Sequence, residues 1–435
     1  MKKALSLLLM LCISLSFISA CAKSDPMETE DDESLNLRGD VLKVYLGEHT
    51  GQVGKKGGSA SSDREYERII ETQNKFNFKF EYNRVANVAN AFLAGSLSGG
   101  MRADLLKGTP TEVYGSYLIN TLIPAENVVD DITSDKWKPA GQQGCGTFDG
   151  IRYSVFPNYW ESAPTIYGVI NLNLTVMDGY GIQPPYDIIE AGEWDWEHFR
   201  EFLRQTAFTD GDKVWRGLGM ATLWGETMLP FILSNGGSYI TSSNGKYKSA
   251  IDSEEAIEAL EFAQSLVEED IMSDIPAGYD WSSGISWMIR SDRIYTSSVD
   301  EMEPIRYPYG PHGNKDTVST ITKGDVMYAF PIFSAYSEDE IGTVAEFMFE
   351  PLSELYPNGW KDLYEDTVFF NHEDFVYYLH SVEEATYLND AALYDSYAEF
   401  GSAMRSVLFG SATPEAAIES VIDIIQADID KHYNK

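Results

Sequence analysis

Glu226 and Asp292 are the carboxylates from which a hydrolytic mechanism in this chain would have to start. Paired acids cleave glycosidic bonds when they stand ~5–5.5 Å apart in retaining enzymes or ~6.5–9.5 Å apart in inverting ones, a distance that sequence leaves open. Other chemistries fail on spacing. The six histidines (His49, His198, His312, His372, His380, His432) are scattered and form no HExxH pair. Asp210-Gly211-Asp212 begins like a calcium loop but lacks the later ligands and the closing glutamate. Near Gly54-Lys55, His49 stands where a phosphate-binding loop needs glycine, and Lys56 where it needs Ser or Thr. Of the three cysteines, Cys12 and Cys21 lie in the leader. Cys145 therefore has no disulfide partner and reads as a small packed side chain. Nothing calls for a cofactor or a metal.

Recognition is better served than catalysis. Aromatic residues make up 13% of the chain, with 9 Trp and 26 Tyr. Such rings offer flat apolar faces to the C–H surface of a pyranose, while neighbouring polar groups take its hydroxyls. Trp224 and Glu226 are the leading pair, a platform beside a hydroxyl acceptor; the other reading of Trp224 is helix-packing core. The formal charge of −36 repels nucleic acid and anionic membrane, and serves solubility outside the cell.

These side chains need elements to hold them. Residues 41–46 alternate and then turn apolar, as a first buried strand would. A loop over 47–62 leads to a helix expected near Asp63, with Tyr66, Ile69 and Ile70 on one face, and residues 76–82 alternate as a second strand. Strand, helix, strand is the order of a parallel sheet. A helix from about Ala91 and a strand over 103–106 follow, then the polar turn Gly108-Thr109-Pro110-Thr111. Ligands of open α/β sheets bind beyond the carboxyl ends of strands, which puts Thr109 and Thr111 at such an end. Residues 153–156 read as a short strand stopped by Pro157, and 166–174 as a second apolar run. Asp195 is placed to cap a helix. Residues 228–233 form an apolar helix stopped at Asn235-Gly236-Gly237. Asp252 with Glu255 reads as a capping box for a helix whose face carries Ala256, Leu260, Ala263 and Val267. Residues 325–333 are another apolar strand, Ser337 caps the next helix, and Thr413-Pro414 opens the last. Residues 350–380 are aromatic and acidic and match no motif.

At the amino terminus Met1-Lys2-Lys3 is followed by an apolar run over 4–17 and then Ile18-Ser19-Ala20-Cys21. This is the pattern of a secretory signal ending in a lipid-modified cysteine. The apolar run is short of the ~20 residues that a membrane span needs. Residues 22–40 are acidic and too poor in apolar groups to bury a core, as in a tether.

The order of these segments resembles that of the extracellular solute-binding proteins of family 1, the sugar-capturing subunits of ABC importers. The resemblance rests on Asp149, Gly150, Tyr153 and Val155 in a lobe-crossing strand. It continues in Asn173, Gly181, Ile182, Pro184, Pro185, Trp196, Glu197 and Phe199, in Asp104-Leu105-Leu106, in Gly284 and Met288, and in Thr413-Pro414-Glu415. Phe156 before the proline, Leu174 in place of a lysine, and the insert over 186–193 depart from the pattern.

The resemblance implies an α/β, two-lobed, periplasmic-binding-protein-like fold, each lobe a mostly parallel sheet flanked by helices and joined to the other by hinge cross-overs. It divides the chain into a signal peptide (1–20), a lipidated tether (21–40), lobe 1 (41–157 and 326–380) and lobe 2 (158–325 and 381–435). It implies a non-enzymatic monomer, lipid-anchored on the extracytoplasmic face of the cell membrane. That protein would capture a sugar or oligosaccharide in an interlobe cleft and deliver it to ABC permease subunits. The expected ligand-binding set is Glu48, Thr109, Thr111, Trp160, Trp224, Glu226, Trp281, Arg290 and Asp292, the last two, with Arg293, just past a strand. A lipid-anchored glycan hydrolase and a surface adhesin are the rival readings. Replacing Cys21 by Ser is expected to abolish incorporation of labelled fatty acid and to release the protein from the membrane fraction; continued labelling would exclude Cys21 as the anchor.

Overall fold

Leu42, Val44 and Leu46 alternate to one side of β1 (Asp40–Leu46) and are buried, so the first strand forms where its period places it. The computed structural model describes residues 35–48, 50, 53–137, 146–148, 150–160, 163–220, 224–244, 246–275, 285–293, 300–322, 326–369, 371–387 and 396–433. Helix α1 (Ala60–Phe76) starts ahead of Asp63 because Ser59 caps it, accepting from the Ser62 N–H. Asn77, at φ 51°, ends α1 and turns the chain into β2 (Phe78–Arg84), parallel to β1 with Val44 opposite Tyr82. After α2 (Val88–Ser98), β3 (Leu105–Gly108) pairs with the other edge of β1, again in parallel.

The turn expected over Gly108 to Thr111 is instead a helix start. Thr109 and Glu112 form a capping box and Pro110 fills the first turn of α3 (Pro110–Leu118). The short strands β4 (Leu122–Ile123), β5 (Thr147–Phe148), β6 (Ile151–Arg152) and β7 (Ser154–Val155) then lead to the first passage between sheets.

Beyond that passage β8 (Tyr167–Asn173) is buried along its centre, as suits a strand paired on both edges. Asn173 caps α4 (Leu174–Tyr180), which Gly181 closes in the left-handed conformation. Then come α5 (Tyr186–Ala191), α6 (Trp196–Thr206) with Asp195 as its cap, β9 (Phe208–Asp210), β10 (Lys213–Met220) and α7 (Trp224–Ser234). A small hairpin, β11 (Ile240–Ser243) and β12 (Lys246–Ser249), precedes α8 (Glu254–Glu268). Its cap is Ser253 and not Asp252: the Ser253 hydroxyl reaches the Ala256 N–H. The buried face runs through Ala256, Ala259, Leu260, Ala263 and Leu266, with Val267 only half-buried.

Strands β13 (Met272–Asp274), β14 (Ile285–Arg293), β15 (Met302–Arg306) and β16 (Ile321–Thr322) complete the second sheet. Its order is β13-β10-β14-β8-β16, with β15 also on β8. Strands β13, β10 and β14 are parallel, whereas β8 runs against β14, β15 and β16, so this sheet is mixed and not mostly parallel. Phe199, Phe231, Leu260 and Ile289 centre its core.

The chain then returns. β17 (Met327–Pro331) runs antiparallel to β3, with Met327 opposite Gly108, and gives the first sheet the order β2-β1-β3-β17-β4, with β7 also on β17. Helix α9 (Glu338–Met348), with its Ser337–Glu340 capping box, packs with α1 on one face of that sheet, while α2 and α3 cover the other. A third passage carries α10 (Trp360–Thr367) and α11 (His372–Glu384) to β18 (Thr386–Tyr387), which joins β16 in the second sheet. The lobe boundary expected at 380 thus falls inside α11, whose buried apolar residues form a separate cluster with Ile166 and Trp360. Helices α12 (Tyr397–Leu408), α13 (Pro414–Glu419) and α14 (Ile422–Tyr433) finish the second lobe.

Gly168, at the head of β8, has φ +80°, and a Cβ there would lie 2.4 Å from the Ser319 carbonyl oxygen. Gly168→Ala is expected to cost about 1–3 kcal/mol in urea unfolding. Gly179→Ala, on the open face of α4 with no atom within 4 Å of the added carbon, is expected to be neutral or to gain about 0.4–1 kcal/mol. Equal effects at the two sites would contradict this account of the passage.

Candidate interlobe cleft

The strand directions locate the cleft. β1 and β3 end at Leu46 and Gly108, β17 enters beside Gly108, and β7 leads out at the same end of the first sheet. In the second sheet β10 and β14 end together, with Met220 opposite Ser291, where β8 begins and β16 pairs with Tyr167. The first two passages therefore join the carboxyl ends of both parallel strand sets, the crevice where open α/β sheets take ligands.

On the first lobe this rim is a small polar framework. Arg84 donates from Nη1 to the carbonyls of Gly47 and Glu48, both at 2.8 Å, which fixes the loop after β1. The Glu48 side chain is exposed. Glu112 accepts from the Thr109 N–H at 2.7 Å and from its hydroxyl at 3.1 Å. The same carboxylate occupies the space where a Cβ on Gly47 would stand. Glu112 thus bridges the ends of β1 and β3, and Thr109 is committed to it, with Thr111 half-buried in the first helical turn. Behind them Lys107 is held below the ordinary lysine range by burial, with the Glu65 charge opposing the shift and the Arg84 charge adding to it.

On the second lobe the rim is formed by the end of β10, the start of α7 and the end of β14. Trp224 and Glu226 lie in the first turn of α7. Tyr307 donates to the Thr227 carbonyl at 3.2 Å and also bonds the Ser291 hydroxyl, tying the start of α7 to the end of β14. Arg290 and Asp292 are residues of β14 itself and not of a segment past it. The register of β10 with β14 brings their strand end to that of α7, so the sequence pair Glu226 and Asp292 belongs to one end of one sheet.

Trp160 is a core residue. Its ring is 3% exposed, lies 5.0 Å from the Phe349 ring, and donates its indole N–H to the Met348 carbonyl at 3.3 Å. A ring so enclosed has no face for a solute, and it leaves the ligand set. Trp281, Cys145 and Cys21 lie outside the described residues. Glu112 stands outside the expected ligand-binding set, although Thr109-Pro110-Thr111-Glu112 carries the capping-box signature. Arg84, Ser291 and Tyr307 gave no local signal. Among the described residues no group of three or more His, Cys, Asp or Glu side chains is arranged to hold a metal ion, and no helix is long and apolar enough to cross a membrane.

No family model matches the sequence, and no curated protein matches it. Solved structures do. The chain is similar to the cyclic alpha-maltosyl-1,6-maltose binding protein from Arthrobacter globiformis, with TM-score 0.62 and 15% identity over 90% of this chain and 99% of that one. It is similar to the GacH receptor of Streptomyces glaucescens, solved unliganded and with acarbose, with TM-score 0.57 and 13% identity over 91% and 99%. UgpB from Mycobacterium tuberculosis, in complex with glycerophosphocholine, gives TM-score 0.58 and 15% identity over 89% and 98%. The chain has the α/β, two-lobed, periplasmic-binding-protein-like fold that these binding proteins share.

Proposed function

We propose that this protein captures a sugar or oligosaccharide between its lobes and delivers it to the membrane permease of an ABC importer. The observation that carries the reading is the convergence of both sheets' carboxyl ends on the paired passages, in a fold whose similar structures include, by their own descriptions, a binding protein for a cyclic maltose-type saccharide and a receptor in complex with acarbose. A solute touching both rims stabilises the closed form by contacts that the open form lacks. Each rim has a part in this. Glu48 and Glu112 accept hydroxyls on the first lobe, and Trp224 with Glu226 supplies ring and acceptor on the second, beside Arg290 and Asp292. Carboxylates at the first rim suit a neutral polyhydroxyl solute better than an anion such as a phosphodiester. The protein acts without turning its solute over, as a monomer, held by a lipid on Cys21 at the extracytoplasmic face.

A thermal-shift panel of maltose, maltotriose, a cyclodextrin and glycerophosphocholine tests this. A bound saccharide raises the melting temperature by the mass-action term RT ln(1 + [L]/Kd), and no reducing sugar is released. Trp224→Ala is expected to weaken that saccharide by ~1–3 kcal/mol, leaving unliganded stability nearly unchanged. Wild-type affinity with a loss of ~3–5 kcal/mol of stability would put Trp224 in the core. A shift by glycerophosphocholine alone would overturn the sugar reading.

A further inference from the structure

Away from the cleft, a cavity of about 440 Å³ lies where α11 rests on the second lobe, walled by α5, β15 and α11. Half of its polar side chains are acids. From α11 and its cap come Asn371, Glu373, Asp374 and Tyr377; from β15, Glu303 and Arg306; from α5, Tyr186 and Glu190. Glu301, just ahead of β15, adds its charge. Arg306 is the cation of the wall, and its guanidinium donates to the Lys315 carbonyl. Asp374 is 5% exposed and accepts from the Asn371 amide at 2.9 Å; Glu303 accepts from the Tyr186 hydroxyl.

The opposite side of α11 grips the hinge. Phe375, Tyr378 and Val382 pack with Ile166 and Trp360, and Tyr378 donates to the Pro164 carbonyl at 2.5 Å, in the first passage. Trp360 in turn donates its backbone N–H to the Trp160 carbonyl and its indole N–H to Asn158, both at 3.0 Å. One helix therefore holds a passage between the lobes with its apolar side and faces the second lobe with the buried carboxyl of Asp374, which shares the cavity wall with the half-buried Glu303.

We propose that this seam is a proton-operated latch: with the Asp374–Glu303 carboxyls protonated α11 is seated on β15, and with both ionised it loosens, so that hinge freedom rises with external pH. Burial above all, then the charges of Glu303, Glu301 and Glu373, pushes Asp374 up to about 7, against the bond from Asn371. Glu303 is raised too, chiefly by burial and further by Glu301 and Glu373, with the Tyr186 hydroxyl opposing. A carboxyl whose pKa is raised on seating stabilises the seated form fully below its unseated pKa. That stabilisation is lost as pH climbs through the seated value. The consequence for solute release rests on the function proposed above; the latch itself does not.

Hydrogen–deuterium exchange of peptides covering 372–384, corrected for intrinsic rate and measured without solute, tests it. Protection of α11 is expected to fall by up to tenfold per pH unit between about 5 and 7 and to level off above that. Asp374→Asn is expected to remove the slope and keep α11 protected at pH 8, while Glu303→Gln moves the levelling point to lower pH. Protection independent of pH in the native protein, or an unchanged levelling point in Glu303→Gln, would overturn the latch even if Asp374→Asn fails to fold. Loss of sugar binding with this pattern intact would count against the proposed function alone.

Discussion

The pairing of β17 with β3, Met327 opposite Gly108, is the contact on which the two-lobed arrangement depends. Every residue of β17 is buried, and it also pairs with β4 and β7, so the first sheet is finished only after the chain has built the second and come back. Closing so long a loop costs entropy that grows slowly with its length, and three strand pairings with two covered faces offset it. The consequence is geometric. A strand that must enter beside Gly108 fixes one passage at the carboxyl ends of β1 and β3, and β7, pairing with the same strand, fixes the other there as well. A hinge and a cleft mouth at one end follow from that register.

The third passage adds stiffness. Trp360 and Tyr378 pack together over Ile166 and bond the backbone of the first passage, so the crossing segments are packed against one another. Capping boxes at Thr109 and Ser337 and the cap at Asp195 position helix starts without calling on the core. At the first rim the same residue has a second place: Glu112, needed to start α3, also presents a carboxylate beside Gly47.

What was legible in the sequence is what is local. The period of 41–46 and the Asp195 cap each depend on a few neighbours, and each element forms where they place it. Pairing direction is not local, which is why the antiparallel β8 turns a sheet expected to be mostly parallel into a mixed one. Trp160 shows the same limit: nothing nearby announces that Met348 and Phe349 enclose it. The acidic aromatic stretch over 350–380 had no motif because its partners, Pro164 and Ile166, lie far back in the chain. Positions at the strand ends were legible, while the hydrogen bonds of Arg84, Tyr307 and Ser291 beside them were not.

The central claim is that the lobes close on a solute, and small-angle X-ray scattering tests it most directly. On saturation with a saccharide that raises the melting temperature, the radius of gyration is predicted to fall and the scattering curve to move from an open two-lobed form toward a more compact one. An unchanged radius of gyration at saturation would contradict the account, since a solute held by one lobe alone leaves the hinge nothing to do.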